Sequence, residues 1–167
     1  NTSLVENSLK LAKQKGIQVS VDLASYNVVE NQKDFLSRIL PEYVDIVFAN
    51  EEEAKAYTGK NPNDALDIIA EQCRIAVVKI GKEGSLIKSD GITTNIGVIP
   101  VKAVDTTGAG DQYAAGFLHG YMQNLSLEKC GKIGALLAGK VIENYGARIA
   151  PDLWKSVLLK TKEIINS

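Results

Sequence analysis

Val104-Asp105-Thr106-Thr107-Gly108-Ala109-Gly110-Asp111 runs on into Gln112-Tyr113-Ala114-Ala115-Gly116-Phe117-Leu118, and the fold is decided by how that junction is read. An extended segment ends there and a helical pattern begins, with Asp111 opening the helix. Gly108 and Gly110 are expected to supply positive φ and to let backbone approach a ligand closely. The first N–H groups of a helix have no intrahelical acceptor and sit at the positive end of its dipole. The turn therefore suits an anion, such as a nucleotide phosphate or a phosphoryl group in transfer. Asp111 would repel a bound anion, yet that is where a general base for a hydroxyl must stand. A plainer reading stands beside this one, because an acid in a first helical turn is favoured by the dipole and Gly-Ala-Gly is common in tight connections.

Upstream of the junction, strands alternate with helices. Ile75–Ile80 and Val44–Ala49 read as buried strands, and Ile17–Leu23 alternates into a polar stretch. Between them lie helical patterns at Ser3–Gly16, where Ser3 and Glu6 form a capping-box signature, at Phe35–Leu40, stopped by Pro41, at Glu51–Tyr57 and at Ala65–Cys73. Ser89-Asp90-Gly91 signals a hairpin. Downstream, Ser126 caps a helix expected from Leu127 to about Tyr145, with Gly146 as its stop. Gly131, Gly134, Ala135, Ala138 and Gly139 let that helix pack closely on the one after Asp111. A final helix from Asp152 through Trp154, Val157 and Leu158 is expected on the outside of the sheet. The order predicts one α/β domain of three layers, α/β/α, around a mostly parallel central sheet.

Composition narrows the partners. The chain has 167 residues, 45% hydrophobic and 23% charged, enough for a core. Its 19 basic and 20 acidic residues nearly cancel and form no basic block, which argues against nucleic acid or a membrane surface. A small molecule is the expected partner. Cys73 and Cys130, in segments of helical pattern, lack metal-ligand spacing and suit reduced thiols in the cytoplasm. His119, the single histidine, has no Ser or Cys at motif spacing and reads as structural.

Asp105-Thr106-Thr107-Gly108-Ala109-Gly110-Asp111, followed by Tyr113, Ala115-Gly116 and Phe117, resembles the C-terminal signature of the ribokinase-like (PfkB) carbohydrate and nucleoside kinases. The resemblance implies that Asp111 takes the proton from the substrate hydroxyl and that the amides of Gly108, Ala109 and Gly110 form the anion hole. Asn50-x-x-Glu53 resembles the family's Asn-x-x-Glu motif, which implies that Glu53 organises magnesium and its waters near ATP. Magnesium keeps much of its water shell, so one carboxylate suffices. Gly81 and Gly84 match the family's Thr-x-Gly-x-x-Gly turn at the nucleotide, with Lys79 in place of the threonine. Asn144 and Gly146 resemble the loop at the adenine pocket. Carbonyls near Asp105 and Thr107 would, by the same likeness, hold a monovalent cation such as potassium. Asp22-Leu23-Ala24-Ser25-Tyr26-Asn27 departs from the family's Asp-x-Asn-x-Arg pattern, and Asp22 is given no catalytic role.

The resemblance implies an ATP-dependent transfer of phosphoryl to an alcohol group of a sugar or nucleoside, as in sugar or adenosine kinases, with a homodimer admitted. Residues 1–167 correspond to the C-terminal portion of such a kinase, without the half that carries the substrate segment and lid. The isolated piece is therefore expected to be inactive. A catalytically silent nucleotide-binding or assembly module is the alternative. A Rossmann dinucleotide-binding domain is weaker, since no Gly-x-Gly-x-x-Gly follows the first strand.

Overall fold

Three strands, β1 (Ser20–Asp22), β2 (Ile46–Asn50) and β3 (Ile75–Lys79), pair in parallel in a computed structural model that describes residues 2–167. β4 (Ser85–Ser89) and β5 (Ile92–Ile96) extend the sheet in the order β1-β2-β3-β4-β5. Only Asp90 and Gly91 join the last two, both at positive φ (50° and 76°), so they form the expected hairpin. The fold has the three-layer α/β class anticipated, and the sheet is mixed, parallel across β1-β2-β3 and ending in the β4–β5 hairpin where a mostly parallel sheet was expected. Two compact units make it up, one of residues 1–81 and 86–93, the other of residues 82–85 and 94–167.

In the first unit, α1 (Thr2–Gln14), α2 (Tyr26–Asn31), α3 (Lys33–Tyr43), α4 (Glu51–Thr58) and α5 (Pro62–Ala70) alternate with the strands. Val47, Ala49, Ala76 and Val78 project from one sheet face into a core with Val29, Leu40, Ala54, Leu66 and Ile69. Ile46, Phe48, Ile75 and Val77, of opposite parity, are buried too. A strand buried on both faces reads as a continuous apolar run, as these two do.

Several boundaries differ from expectation. Helix α1 already includes Thr2, so Ser3 lies within the first turn and is no cap. β1 starts at Ser20, because the Ile17 N–H turns back to the Ala12 carbonyl (2.9 Å) and Gly16 adopts φ 65°, closing α1. The polar stretch after β1 is helical as α2, capped by Ser25. Pro41 lies inside α3 and does not stop it. Its missing N–H forfeits one bond near the helix end, while Ile39, Leu40 and Tyr43 bury that last turn. Cys73 falls beyond α5, its thiol donating to the Ile69 and Ile75 carbonyls.

The second unit holds α6 (Ala109–Met122), α7 (Leu127–Val141) and α8 (Trp154–Asn166). The close crossing expected of α6 and α7 is present: a Cβ on Gly116 would lie 2.8 Å from the Ile133 carbonyl oxygen and one on Gly134 2.8 Å from that of Tyr113. Gly139 faces Ile99 instead. α7 ends at Val141, short of Tyr145, because the Ile142 carbonyl is claimed by the N–H groups of Val104 (2.7 Å) and Asp105 (3.3 Å). A 3-10 turn at Pro151–Leu153 replaces the expected start of the last helix. That helix packs on α7 through Val157, Val141 and Ile149, with Trp154 exposed. No helix among the described residues is long and apolar enough to cross a membrane.

Candidate active site

The carboxyl ends of β1, β2 and β3 bring together residues far apart in sequence. Parallel register sets Asn50 beside Lys79 and Asp22 beside Phe48. Ligands of open α/β sheets bind beyond this edge. Lys79 Nζ lies 2.9 Å from Asp22 Oδ2, and Asp22 Oδ1 accepts the Ala24 N–H. Ala24 itself takes φ 67°, unusual for a residue with a Cβ. Asp22, a ligand-side candidate from its place at a strand end but given no catalytic role, is thus the direct partner of a predicted site residue.

Asn50 and Glu53 form a reciprocal cap on α4. The Asn50 N–H and side-chain amide each donate to one Glu53 oxygen (2.8 Å), and the Glu53 N–H donates to Asn50 Oδ1 (2.9 Å). Glu53 is 3% exposed, and burial pushes its carboxyl above the ordinary range, opposed by the Asn50 N–H and the Lys79 charge. Among the described residues no three His, Cys, Asp or Glu side chains gather to hold a metal. Magnesium coordinated by a cage of protein oxygens does not fit this donor set. Magnesium that keeps its water shell and is held through those waters does, because each Glu53 oxygen keeps a lone pair beyond its bond to Asn50. A 3-10 turn over Gly81–Glu83 follows β3, with Gly81 at φ 53° and Glu51 Oε1 beside it.

In the second unit the junction is a type II turn. Thr106 accepts the Ala109 N–H at 3.2 Å, and Gly108, third in the turn, has φ 77°, ψ 2°. Gly108 needs its glycine twice over, since a Cβ there would lie 2.6 Å from that of Ala147. Gly110 has no positive φ, contrary to expectation, because α6 begins at Ala109 and Gly110 is already helical. The Ala109 N–H is spent on closing the turn. Gly110 and Asp111 follow in the first helical turn, where N–H groups have no intrahelical acceptor, and Gln112 makes the first regular bond, to Gly108 (2.9 Å). Asp111 is exposed, at the third helical position.

Asp105 ties this turn to the segment after α7. Its Oδ1 accepts the Thr107 N–H (2.9 Å) and hydroxyl (2.7 Å), and its Oδ2 the Gly146 N–H (2.8 Å). The Gly146 bond, then those from Thr107, holds the Asp105 carboxyl below its usual range. Gly146 has φ 84° and serves this clasp, five residues beyond the helix it was expected to stop. Asn144 keeps its side-chain amide nitrogen buried without an acceptor. His119, bonded to Gln123, lies on α6 away from the turn.

Residues 1–154 match the description "pfkB family carbohydrate kinase". A 2-dehydro-3-deoxygluconokinase of Haemophilus influenzae is 33% identical over 156 residues, covering 89% of this chain and 49% of the relative. A cytidine kinase of Thermococcus kodakarensis is 35% identical over 148 residues, covering 84% and 53%. The crystal structure of adenosine kinase from Sinorhizobium meliloti superposes with a TM-score of 0.87 at 34% identity, over 94% of this chain and 49% of that one. The chain spans about half the length of these relatives.

Proposed function

Because the chain belongs to the pfkB family of carbohydrate kinases, we propose that the protein it represents transfers a phosphoryl group from ATP to a hydroxyl of a sugar or nucleoside. The observation that carries the reading is Asp111, exposed in the first turn of α6 directly after the Gly108 turn. A carboxylate there can accept a hydroxyl proton. The neighbouring N–H groups of Gly108 and Gly110, joined by Ala109 if the Thr106 bond opens, meet the charge of the departing phosphoryl group. Magnesium, when bound, neutralises phosphate charge. Glu53 holds its waters, Asn50 fixes the Glu53 carboxylate, and Lys79, with the backbone at Gly81 and Gly84, meets the nucleotide. Asn144 and Gly146 border the base, and the carbonyls of Asp105 and Thr107 are the donors for a monovalent cation. These 167 residues alone are expected to bind nucleotide without turning it over, because no acceptor-binding residue is assigned among them.

The test is to assay the complete protein with ATP, magnesium and a panel of fructose, 2-dehydro-3-deoxygluconate, adenosine and cytidine. ADP release that depends on one acceptor is expected. Asp111→Asn should lower that turnover by about a thousandfold while leaving ADP affinity within about twofold, since asparagine keeps the shape and loses the base. Tight ADP binding without acceptor-dependent release would support the silent-module reading instead, and near-normal turnover of Asp111→Asn would remove the base role.

A further inference from the structure

Tyr113 lies two residues beyond Asp111, and its hydroxyl is 2.6 Å from that of Ser85 in the protein interior. Tyr113 is 5% exposed and Ser85 1%. Burial pushes the Tyr113 phenol up to about 12, so it stays a neutral hydroxyl across the physiological range. Each group satisfies the other. A Phe–Ala pair would fill the same interior with no polar atoms to desolvate, so this pairing does something that packing alone does not require.

What it joins gives the answer. Ser85 ends the short segment Lys82–Ser85, and Gly84 before it is pressed onto the end of β5: a Cβ on Gly84 would fall 1.9 Å from the Ile96 carbonyl oxygen. That segment cannot shift without moving Ser85. On the other side, Tyr113 is gripped along its length. Its carbonyl oxygen and ring both meet the face of Gly134, and its ring stacks on Phe117 at 6.5 Å between centroids. The grip leaves the first turns of α6 little freedom to rotate independently of the hydroxyl. The bond therefore ties the turn after β3 to the helical turn that carries Asp111, within a single compact unit.

We propose that the Ser85–Tyr113 hydroxyl pair is a positioning link, through which nucleotide bound at the Lys82–Ser85 turn sets the orientation of Asp111 at the start of α6. The inference rests on the kinase reading above and deepens it by adding two residues that touch neither substrate nor magnesium.

The experiment compares the complete protein with Ser85→Ala, Tyr113→Phe and the double variant. Each single variant strands a buried hydroxyl and should lower the melting temperature. The double variant removes both and should recover it. Turnover separates the link from mere stability: with the acceptor found in the panel, kcat should be about tenfold down in the double variant despite its recovered stability, with ADP affinity within about twofold. Hydrogen exchange supplies a readout independent of turnover. ADP with magnesium should slow exchange at the amides of Tyr113–Phe117, which donate inside α6, by about tenfold in the parent and by less than about twofold in the double variant. A double variant with parental kcat and parental ADP-induced protection overturns the link and leaves the kinase reading standing. A parent protein that binds no ADP overturns both.

Discussion

Replacing Gly116 by alanine should be the most damaging single methyl addition between α6 and α7. Its new Cβ would press on one peptide unit of α7, 2.8 Å from the Ile133 oxygen, 2.9 Å from Gly134 Cα and 3.0 Å from Gly134 N. None of these atoms can rotate away. To reach ordinary contact the helices must separate by roughly 0.6 Å, and overpacking against backbone that cannot rotate away falls in the upper part of the usual range, about 2–3 kcal/mol. Alanine returns about 1 kcal/mol through helix propensity, which leaves a net loss of about 1–2 kcal/mol. For a chain of this size that is a fall in Tm of roughly 3–6 °C. Gly120→Ala is the internal control. Its Cβ would stand 3.2–3.3 Å from Cys130 and the flexible end of Ile133, a contact that small adjustments relieve. Its change should lie within about 0.5 kcal/mol of zero. Denaturant melts of the complete protein measure both. The reasoning about backbone contact is refuted if Gly116→Ala matches the parent, or if Gly120→Ala is the worse of the two. Since Asp111 sits at the start of the displaced helix, Gly116→Ala should also lower turnover several-fold more than its stability loss accounts for.

The junction separates its two glycines: Gly108→Ala, at φ 77° and 2.6 Å from the Ala147 Cβ, should cost stability and ADP affinity together, whereas Gly110→Ala, already helical, should leave Tm unchanged or raised. A lower Tm for Gly110→Ala than for Gly108→Ala would contradict the turn geometry. Asp105 has a folded pKa below its ordinary 3.8, so its contribution is present above that value and is lost as pH falls through the folded one. The gap in Tm between the parent and Asp105→Asn should therefore be constant from neutral pH to about 5 and close below 3.8, as thermal melts across pH would record. Glu53→Gln should raise the magnesium concentration needed for ADP binding, since an amide beside the Asn50 Nδ2 sets donor against donor where a carboxylate accepted. Magnesium dependence identical to the parent, read by calorimetry, would reduce Glu53 to a helix cap.

The strands and the α6 junction were legible because their signals are local. Ile46–Asn50 and Ile75–Lys79 are apolar runs, the first followed by a helix start and the second by a glycine turn, and Asp90-Gly91 is a hairpin turn on residue type alone. The errors cluster where a distant group takes over a local preference. α7 should have run to Tyr145 by pattern, but Val104 and Asp105 take the Ile142 carbonyl and turn the chain out. Pro41 should have ended α3, but burial of Ile39, Leu40 and Tyr43 holds the turn around it. Gly110 looked like a second left-handed residue, yet one positive φ, at Gly108, is all a type II turn needs before a helix can start.

The same distinction divides the candidate site. Candidates for the proposed site could be chosen from residue type, because a base, an anion-binding turn and a carboxylate for magnesium each demand particular chemistry at particular spacing. What those residues bond to could not be. Lys79 is held by Asp22, 57 positions away, Asp105 by Gly146, 41 away, and Tyr113 by Ser85, 28 away. None of these pairings follows from local pattern, since each depends on which strand ends and helix faces the fold brings together. On the proposed reading these bonds would fix the orientation on which proton and phosphoryl transfer depend, and misplacement by about 1 Å can cost a hundredfold in rate. Substitutions at the partners, Asp22, Gly146 and Ser85, should therefore lower activity out of proportion to anything the motif residues alone would suggest.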